Sequence, residues 1–373
     1  MRKLIFFFLV LVLCLSGTLQ NKGESEVIEP QKNSEVFARP RTFKGVPVRN
    51  ANLSLVPNGT QALIPELQSL SNSTVWYLHS TLSTLVIPII FLLVVVVGIP
   101  ANIAILCSLA TKIRKVSSAI FYCSLAVSDL CLLLSLFFKA HYHFHGNHWV
   151  LGEASCRVVT ACFYGNLYCS AQTLACISIK RYLAVVHPFL YKRLPKRRLT
   201  AWVSLVIWGV FGAAMIPELL VQQSYHLPEV GITTCHDVLP LDYDSHIFLL
   251  CYNLFLNIFG LLLPLVVTVL CFIRIICELN QSHFDWEMYI KASSLVFVIF
   301  LVCFTPAGVL HFLHYLQLFV HGTERLYVHF KVAVCLCCLH ACLDPFLFLL
   351  MSKSAGSSLH FRPFTGKTLS ISI

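Results

Sequence analysis

Seven apolar stretches, near residues 84–109, 117–138, 157–180, 199–221, 246–273, 292–316 and 328–351, constrain this chain more than any other feature. Each is long enough to cross a bilayer, which takes about 20 residues. Lipid offers no partner for backbone N–H and C=O groups, so every crossing must be helical. The expected fold is an all-α membrane protein, a seven-transmembrane helix bundle joined to a flexible ectodomain. Composition agrees, with 57% hydrophobic and only 12% charged residues. A soluble domain carries about 25% charge. Most of the 17 cysteines lie inside the apolar runs, where they act as small packing residues. No interleaving of basic and aromatic residues suggests a nucleic-acid partner, and the net charge of +10 reads as a topology signal in contact with lipid.

The basic residues orient the bundle. Lys112, Arg114 and Lys115 lie in the first connector; Lys192, Arg193, Lys196, Arg197 and Arg198 lie in the third. Neither Lys nor Arg occurs between Tyr142 and Cys156 or between Gln222 and His246. Odd-numbered connectors are then cytoplasmic and the N-terminus is outside, in a multi-pass plasma-membrane arrangement with a cytoplasmic C-terminus. Residues 1–17, a charged start followed by a short apolar core and small residues, read as a signal peptide. Three sequons, at Asn52, Asn58 and Asn72, fall in the outer segment, so glycosylation is expected there. Cys156 and Cys235 stand on the oxidising side, and one disulfide between them is predicted.

Ionisable groups at membrane depth are costly and therefore candidates for function. Asp129, in "SLAVSDL", and Asp344, in "CLDPF", are two such groups, with Asn102 of "GIPAN" beside them in a polar cluster. With Ser170 they could hold a cation, sodium above all, or a proton; a satisfied polar plug between helices is the other reading. Pro217, Pro264, Pro306 and Pro345 fall inside spans and should kink them. Transporter architecture is disfavoured, since the chain shows no inverted repeat and no matched pair of broken helices.

A short basic strip, "VFARPRTFKGVPVRN" at 36–50, precedes all of this. Taken with "GIPAN", "LAVSD", Cys156, "KRY" at 180–182, Trp208, Pro264, "CFTP" and "LDPF", residues 84–351 resemble the rhodopsin-like G-protein-coupled receptors. The segments "ITTCHDVLP" (232–240), "NHWVLGEASC" (147–156), "FYGNLYCS" (163–170) and "HYL" (314–316) narrow the resemblance to the protease-activated receptors. That resemblance implies cleavage by thrombin or another trypsin-like serine protease after Arg41. Residues 18–41 would leave as an activation peptide. Thr42, Phe43, Lys44, Gly45, Val46 and Pro47 would become a tethered ligand, at the head of the ectodomain 42–83. Residues 48–75 hold a single acid, Glu66, so the acidic protease-docking segment of thrombin-cleaved members is missing.

The resemblance further implies a ligand pocket of Tyr164, His236, Asp237, Leu239, His314 and Tyr315. Glu229, Asp237, Asp242 and Asp244 would form an acidic receiving surface for Lys44, Arg49 and the new ammonium of Thr42. A linker from about 48 to 80 would supply the return path. At the cytoplasmic switch the chain departs from the pattern. Lys180 stands where an acid precedes Arg181, and Phe272 and Phe348 replace two tyrosines. His340 and Ala341 replace an asparagine and a serine, while Phe304, Pro306 and Pro345 keep their places. Residues 352–373 form a short tail without a clear amphipathic helix. These departures imply weak coupling to a heterotrimeric G protein and a role as cofactor to another protease-activated receptor. An ordinary peptide receptor without proteolytic activation is one alternative. The other is a seven-span zinc hydrolase using His311, His314, His340 and Asp344; no enzyme is expected. The run "HYHFHGNH" (141–148) reads as a solvated loop.

Overall fold

The structure is a computed structural model, and it describes residues 43–47, 67–68, 72–110, 117–240, 252–280, 287–321, 326–356, 360–361 and 369–370. The signal and activation segments, Arg41, Thr42, Asn52, Asn58, Asp242 and Asp244 lie outside the described residues, as does most of the 352–373 tail.

Among the described residues, six helices are long and apolar enough to cross a membrane: Leu82–Ala110, Ala119–Phe144, Lys196–Leu220, Tyr252–Asn280, Ile290–His314 within the helical run 287–321, and Tyr327–Leu350. With Glu153–Val186, the third span in chain order, they make the seven-helix bundle. That third span is 34 residues long and less apolar than the others. Its polarity has a packing reason. It runs through the middle of the bundle, against spans two, four and five, and buries Asn166, Ser170, Thr173, Ser178 and Arg181 against protein. Gly260 lets span five close on it, since an added Cβ there would lie 2.5 Å from the Tyr168 ring.

Two of the four prolines expected to kink their spans follow a π-helical turn. One π-helical turn, Ile258–Leu262, comes just before Pro264, and another, Phe300–Phe304, just before Pro306. There the Leu263 N–H donates to the Ile258 carbonyl and the Thr305 N–H to that of Phe300, absorbing the ladder bond that proline cannot make. Span four breaks at Met215, and Pro217 sits in the first turn of the short helix Ile216–Leu220. Span seven breaks as well, into Tyr327–Cys337 and His340–Gly356, which contains Pro345. Pro100 also lies within a helix, in span one, although it was not among the kink positions expected from the sequence.

Two expectations are corrected. Residues 141–144 continue span two instead of forming a solvated loop, and His143 is buried with its Nδ1 2.6 Å from Asn147 Oδ1. Residues 72–79, assigned to the linker, form a helix whose Tyr77 and Leu78 are buried.

Over the bundle lies a hairpin of β3 (Ser224–Leu227) and β4 (Ile232–Cys235), paired antiparallel with Ser224 opposite Cys235. Gly231, at φ 67°, supplies the left-handed residue that closes the turn. Cys235 is bonded to Cys156 at the head of span three. Glu153, one turn before it, accepts from the backbone N–H groups of Gln223 at 2.8 Å and Ser224 at 2.7 Å. Trp149 N–H reaches the Thr233 carbonyl at 2.7 Å, and Thr233 N–H donates to His148 Nδ1 at 3.0 Å. Beyond the hairpin, β5 (Val238–Pro240) pairs in parallel with β1 (Phe43–Pro47), Phe43 opposite Val238 and Lys44 opposite Leu239. The other edge of β1 pairs antiparallel with β2, Leu67–Gln68.

The disulfide closes a loop of 79 residues. Cys235→Ser should therefore cost roughly 2–5 kcal/mol, read as a lower unfolding midpoint of purified protein and less protein at the cell surface. Unchanged values in both would contradict the anchoring role given to this bond.

Candidate ligand-receiving site and switch

The buried centre of the outer half is Asp237. It follows His236, a non-glycine residue at φ 68° whose N–H donates to the Gln223 carbonyl at 2.8 Å. That left-handed step turns the chain inward, and the Asp237 side chain goes down into the bundle with 1% exposure. It pairs with Lys331 of span seven. Tyr142 of span two donates its hydroxyl at 2.9 Å, and Tyr327 of span seven donates at 3.3 Å. Lys139 lies close by, with its ammonium 4.8 Å above the Phe163 ring. Burial pushes the Asp237 carboxyl up, but the Lys331 ammonium outweighs this and holds it well below the usual carboxylate range. The expected acidic receiving surface is corrected accordingly: Asp237 is an internal counter-ion, and only Glu229 of the remaining acids is described as exposed.

Other expected pocket residues gather around it. The Tyr164 and His236 rings lie 5.3 Å apart, and His236 Nδ1 is 2.5 Å from Gln223 Oε1. His314 is buried, 5.7 Å from the Tyr327 ring. The side chains of Leu239 and Tyr315 lie outside the described residues. A separate groove of about 340 Å3, lined by Ser128, Asn166, Trp208 and Met215 among others, takes in none of the expected ligand residues.

Deeper in the bundle, Asn102 donates to the carbonyls of Gly98 at 3.0 Å and Ala341 at 2.9 Å. Asp129, His340 and Asp344 turn toward one another, their donor atoms all within 4.8 Å. Ser170 does not join them; its hydroxyl meets Asn166 at 3.3 Å and Ser128 at 3.4 Å. Phe304 packs its ring 4.8 Å from that of His340. His311 stacks on Phe330 at 4.6 Å, so the four-residue zinc set divides between two places.

At the inner end Arg181 has a partner that the sequence gave no reason to expect. Its Nη2 donates to the Tyr122 hydroxyl at 3.2 Å, and the Tyr122 ring lies 6.0 Å from that of Phe348. Lys180 donates to Ser117 at 2.9 Å, and Phe272 stacks on Phe297 at 4.5 Å. Lys139 and Lys331 were likewise absent from the expected site. Both could have been found by the rule that singled out Asp129, that an ionisable group at membrane depth needs a reason to be there.

Residues 101–348 match the family described as 7 transmembrane receptor (rhodopsin family). The chain is 44% identical over 283 residues to proteinase-activated receptor 3 of Rattus norvegicus, covering 76% of this chain and 77% of the relative. It is 39% identical over 371 residues to proteinase-activated receptor 3 of Homo sapiens, at 96% and 98% coverage. With proteinase-activated receptor 2 of Mus musculus, identity is 33% over 284 residues, covering 74% and 70%.

Removing one partner of a buried ion pair strands the other charge and costs roughly 3–5 kcal/mol. Asp237→Asn should destabilise by about that much, and adding Lys331→Met should recover most of it. The sign with pH is set by the lowered folded value. The carboxylate stabilises the fold above its unfolded pKa of about 3.9 and loses that contribution as pH falls toward the folded one. The midpoint should drop between about pH 5 and 3 in the parent and drop less in the double variant. An Asp237→Asn protein as stable as the parent would contradict the assignment.

Proposed function

The chain belongs to the proteinase-activated receptors within the rhodopsin family of seven-transmembrane receptors, and from that premise we propose that a thrombin-like or other trypsin-like serine protease cuts after Arg41. The new N-terminus, Thr42-Phe43-Lys44-Gly45-Val46-Pro47, is the ligand. In this reading the N-terminus and its glycans on Asn52, Asn58 and Asn72 are extracellular, and the C-terminus is cytoplasmic. The observation that carries the reading is the parallel pairing of Phe43–Pro47 with Val238–Pro240. This strand begins two residues past the expected cut and lies directly beside the three residues that follow Asp237. Strand addition of this kind gives affinity through main-chain hydrogen bonds. Tethering keeps the effective ligand concentration in the mM range, so weak contacts suffice.

The chemistry at the cut is consistent. Trypsin-like pockets hold arginine through a carboxylate at their base. Cleavage after Arg39 would instead leave Pro40 on the leaving side, where its fixed ring fits poorly. The Asp237 pair leaves the loop with little free negative charge among the described residues. Backbone pairing and apolar contacts, not charge attraction, then do most of the work of receiving the ligand.

A second role, presenting protease to another receptor of the family, is favoured by the inner end. Arg181 is held by Tyr122, while Phe272 and Phe348 offer no hydroxyl to hold an outward position of span six. A missing hydrogen bond costs roughly 0.5–1.5 kcal/mol, so two losses thin a sparse active state considerably. Coupling to a heterotrimeric G protein is correspondingly weak in this reading.

N-terminal sequencing of surface protein after thrombin or trypsin tests the proposal. A new terminus at Thr42 is expected, absent from Arg41→Ala, together with loss of any protease-evoked calcium or cyclic-AMP response. A response that survives Arg41→Ala would return the chain to the ordinary peptide receptors.

A further inference from the structure

The three side chains in the middle of the bundle pose a problem that proteolytic activation does not address. Asp129 of span two and His340 and Asp344 of span seven are all buried, at 0%, 0% and 4% exposure. Neither oxygen of Asp129, neither oxygen of Asp344, nor Nε2 of His340 has a hydrogen-bond partner. Buried polar atoms are nearly always satisfied, so five orphans in one place require an occupant.

The histidine narrows what the occupant is. Span seven breaks just before His340, and the ring folds back so that Nδ1 lies 2.6 Å from the Cys337 carbonyl. A carbonyl only accepts, so Nδ1 carries a proton, and Nε2 offers a lone pair whenever the ring is neutral. Nε2 faces Asp129 Oδ1 at 3.5 Å, an ion pair with a protonated ring and two opposed acceptors with a neutral one. The arrangement is the one that metal-bound histidines adopt, with the outer ring nitrogen donating to a carbonyl and fixing the inner one as a ligand. The Phe304 ring, 4.8 Å away, closes a further side.

The expected sodium ion fits this donor set poorly. Ser170, the hydroxyl assigned to it, is turned to Asn166 and Ser128, and a hard alkali ion takes oxygen ligands rather than an imidazole nitrogen. We propose that Asp129, His340 and Asp344 form a site for a divalent transition-metal ion of the zinc class. Two carboxylates balance its charge, which a monovalent ion leaves half unmet. The donor atoms lie within 4.8 Å of one another. Ligands around tetrahedral zinc sit about 3.3 Å apart, so modest side-chain rotation closes the set. The ion would fasten span seven to span two near the hinge at Cys338–Leu339, and its removal would loosen that join.

The test uses the full-length receptor in lipid nanodiscs, stripped with chelator and then titrated with zinc chloride, sodium chloride or magnesium chloride. Zinc at a hundredfold excess over its dissociation constant should raise the unfolding midpoint by roughly 5 °C, with about one ion retained per chain by elemental analysis. In His340→Asn both the shift and the retained ion should be lost. Equal zinc stabilisation of His340→Asn would place the ion elsewhere, for example among His141, His145 and His148, and would overturn the proposal. Stabilisation of the parent by sodium but not zinc would overturn it in favour of an oxygen-type site. No response to any of the three ions would overturn it in favour of a proton on Nε2.

Discussion

The half of this receptor that carries the disulfide is organised around one buried ion pair, Asp237 with Lys331. An unpaired carboxylate could not remain where Asp237 sits, with two tyrosine hydroxyls as its other hydrogen-bond partners. The loop that carries it is consequently drawn into the bundle at a fixed point. The disulfide to Cys156 sets the position two residues earlier, and the left-handed backbone at His236 aims the chain from one anchor to the other. The next three residues, Val238–Pro240, leave this double anchorage as a strand with an edge to pair. The Phe43–Pro47 strand takes that edge, which makes its place a consequence of the pair beneath it.

A second set of charges lies deeper and is held differently. The outer pair is matched with hydrogen bonds on both sides, whereas the carboxylates of Asp129 and Asp344 and Nε2 of His340 face one another without a hydrogen-bond partner. The outer cluster thereby fixes a loop, and the inner one brings side chains of spans two and seven together. Arg181 and Tyr122 form a third layer at the inner end, where a neutral hydroxyl takes the place of the acid that the family pattern puts before the arginine. The third span threads all three layers. That role explains why it is less apolar than its neighbours and still buried along most of its length.

The seven crossings, the Cys156–Cys235 bond and the membrane-depth polar residues were legible in the sequence. Apolar length, cysteine placement and ionisable residues in apolar runs are local signals with few alternative causes. The features that stayed hidden depended on contacts between distant residues. Asp237 reads as one more loop acid until Lys331, 94 positions away, is found beneath it. His141 and His143 read as loop residues because polar side chains hid two further turns of helix. Tyr122 gave no signal at all, since a tyrosine in a span is ordinary until an arginine from another helix reaches its hydroxyl. The breaks at Met215 and at Cys338–Leu339 also escaped, because neither falls on the proline that the sequence offers as the place for a kink.

The central claim is that the strand Phe43–Pro47 rests on the loop held by Asp237, in the register Lys44 opposite Leu239. Cysteine crosslinking tests it directly. Lys44→Cys combined with Leu239→Cys, in full-length receptor at the cell surface, should form a disulfide-linked peptide detectable by mass spectrometry, both before and after protease treatment. A partner cysteine at Glu229, on the turn of the hairpin, should not crosslink to position 44. Absence of the 44–239 link, or equal linking to position 229, would contradict the account.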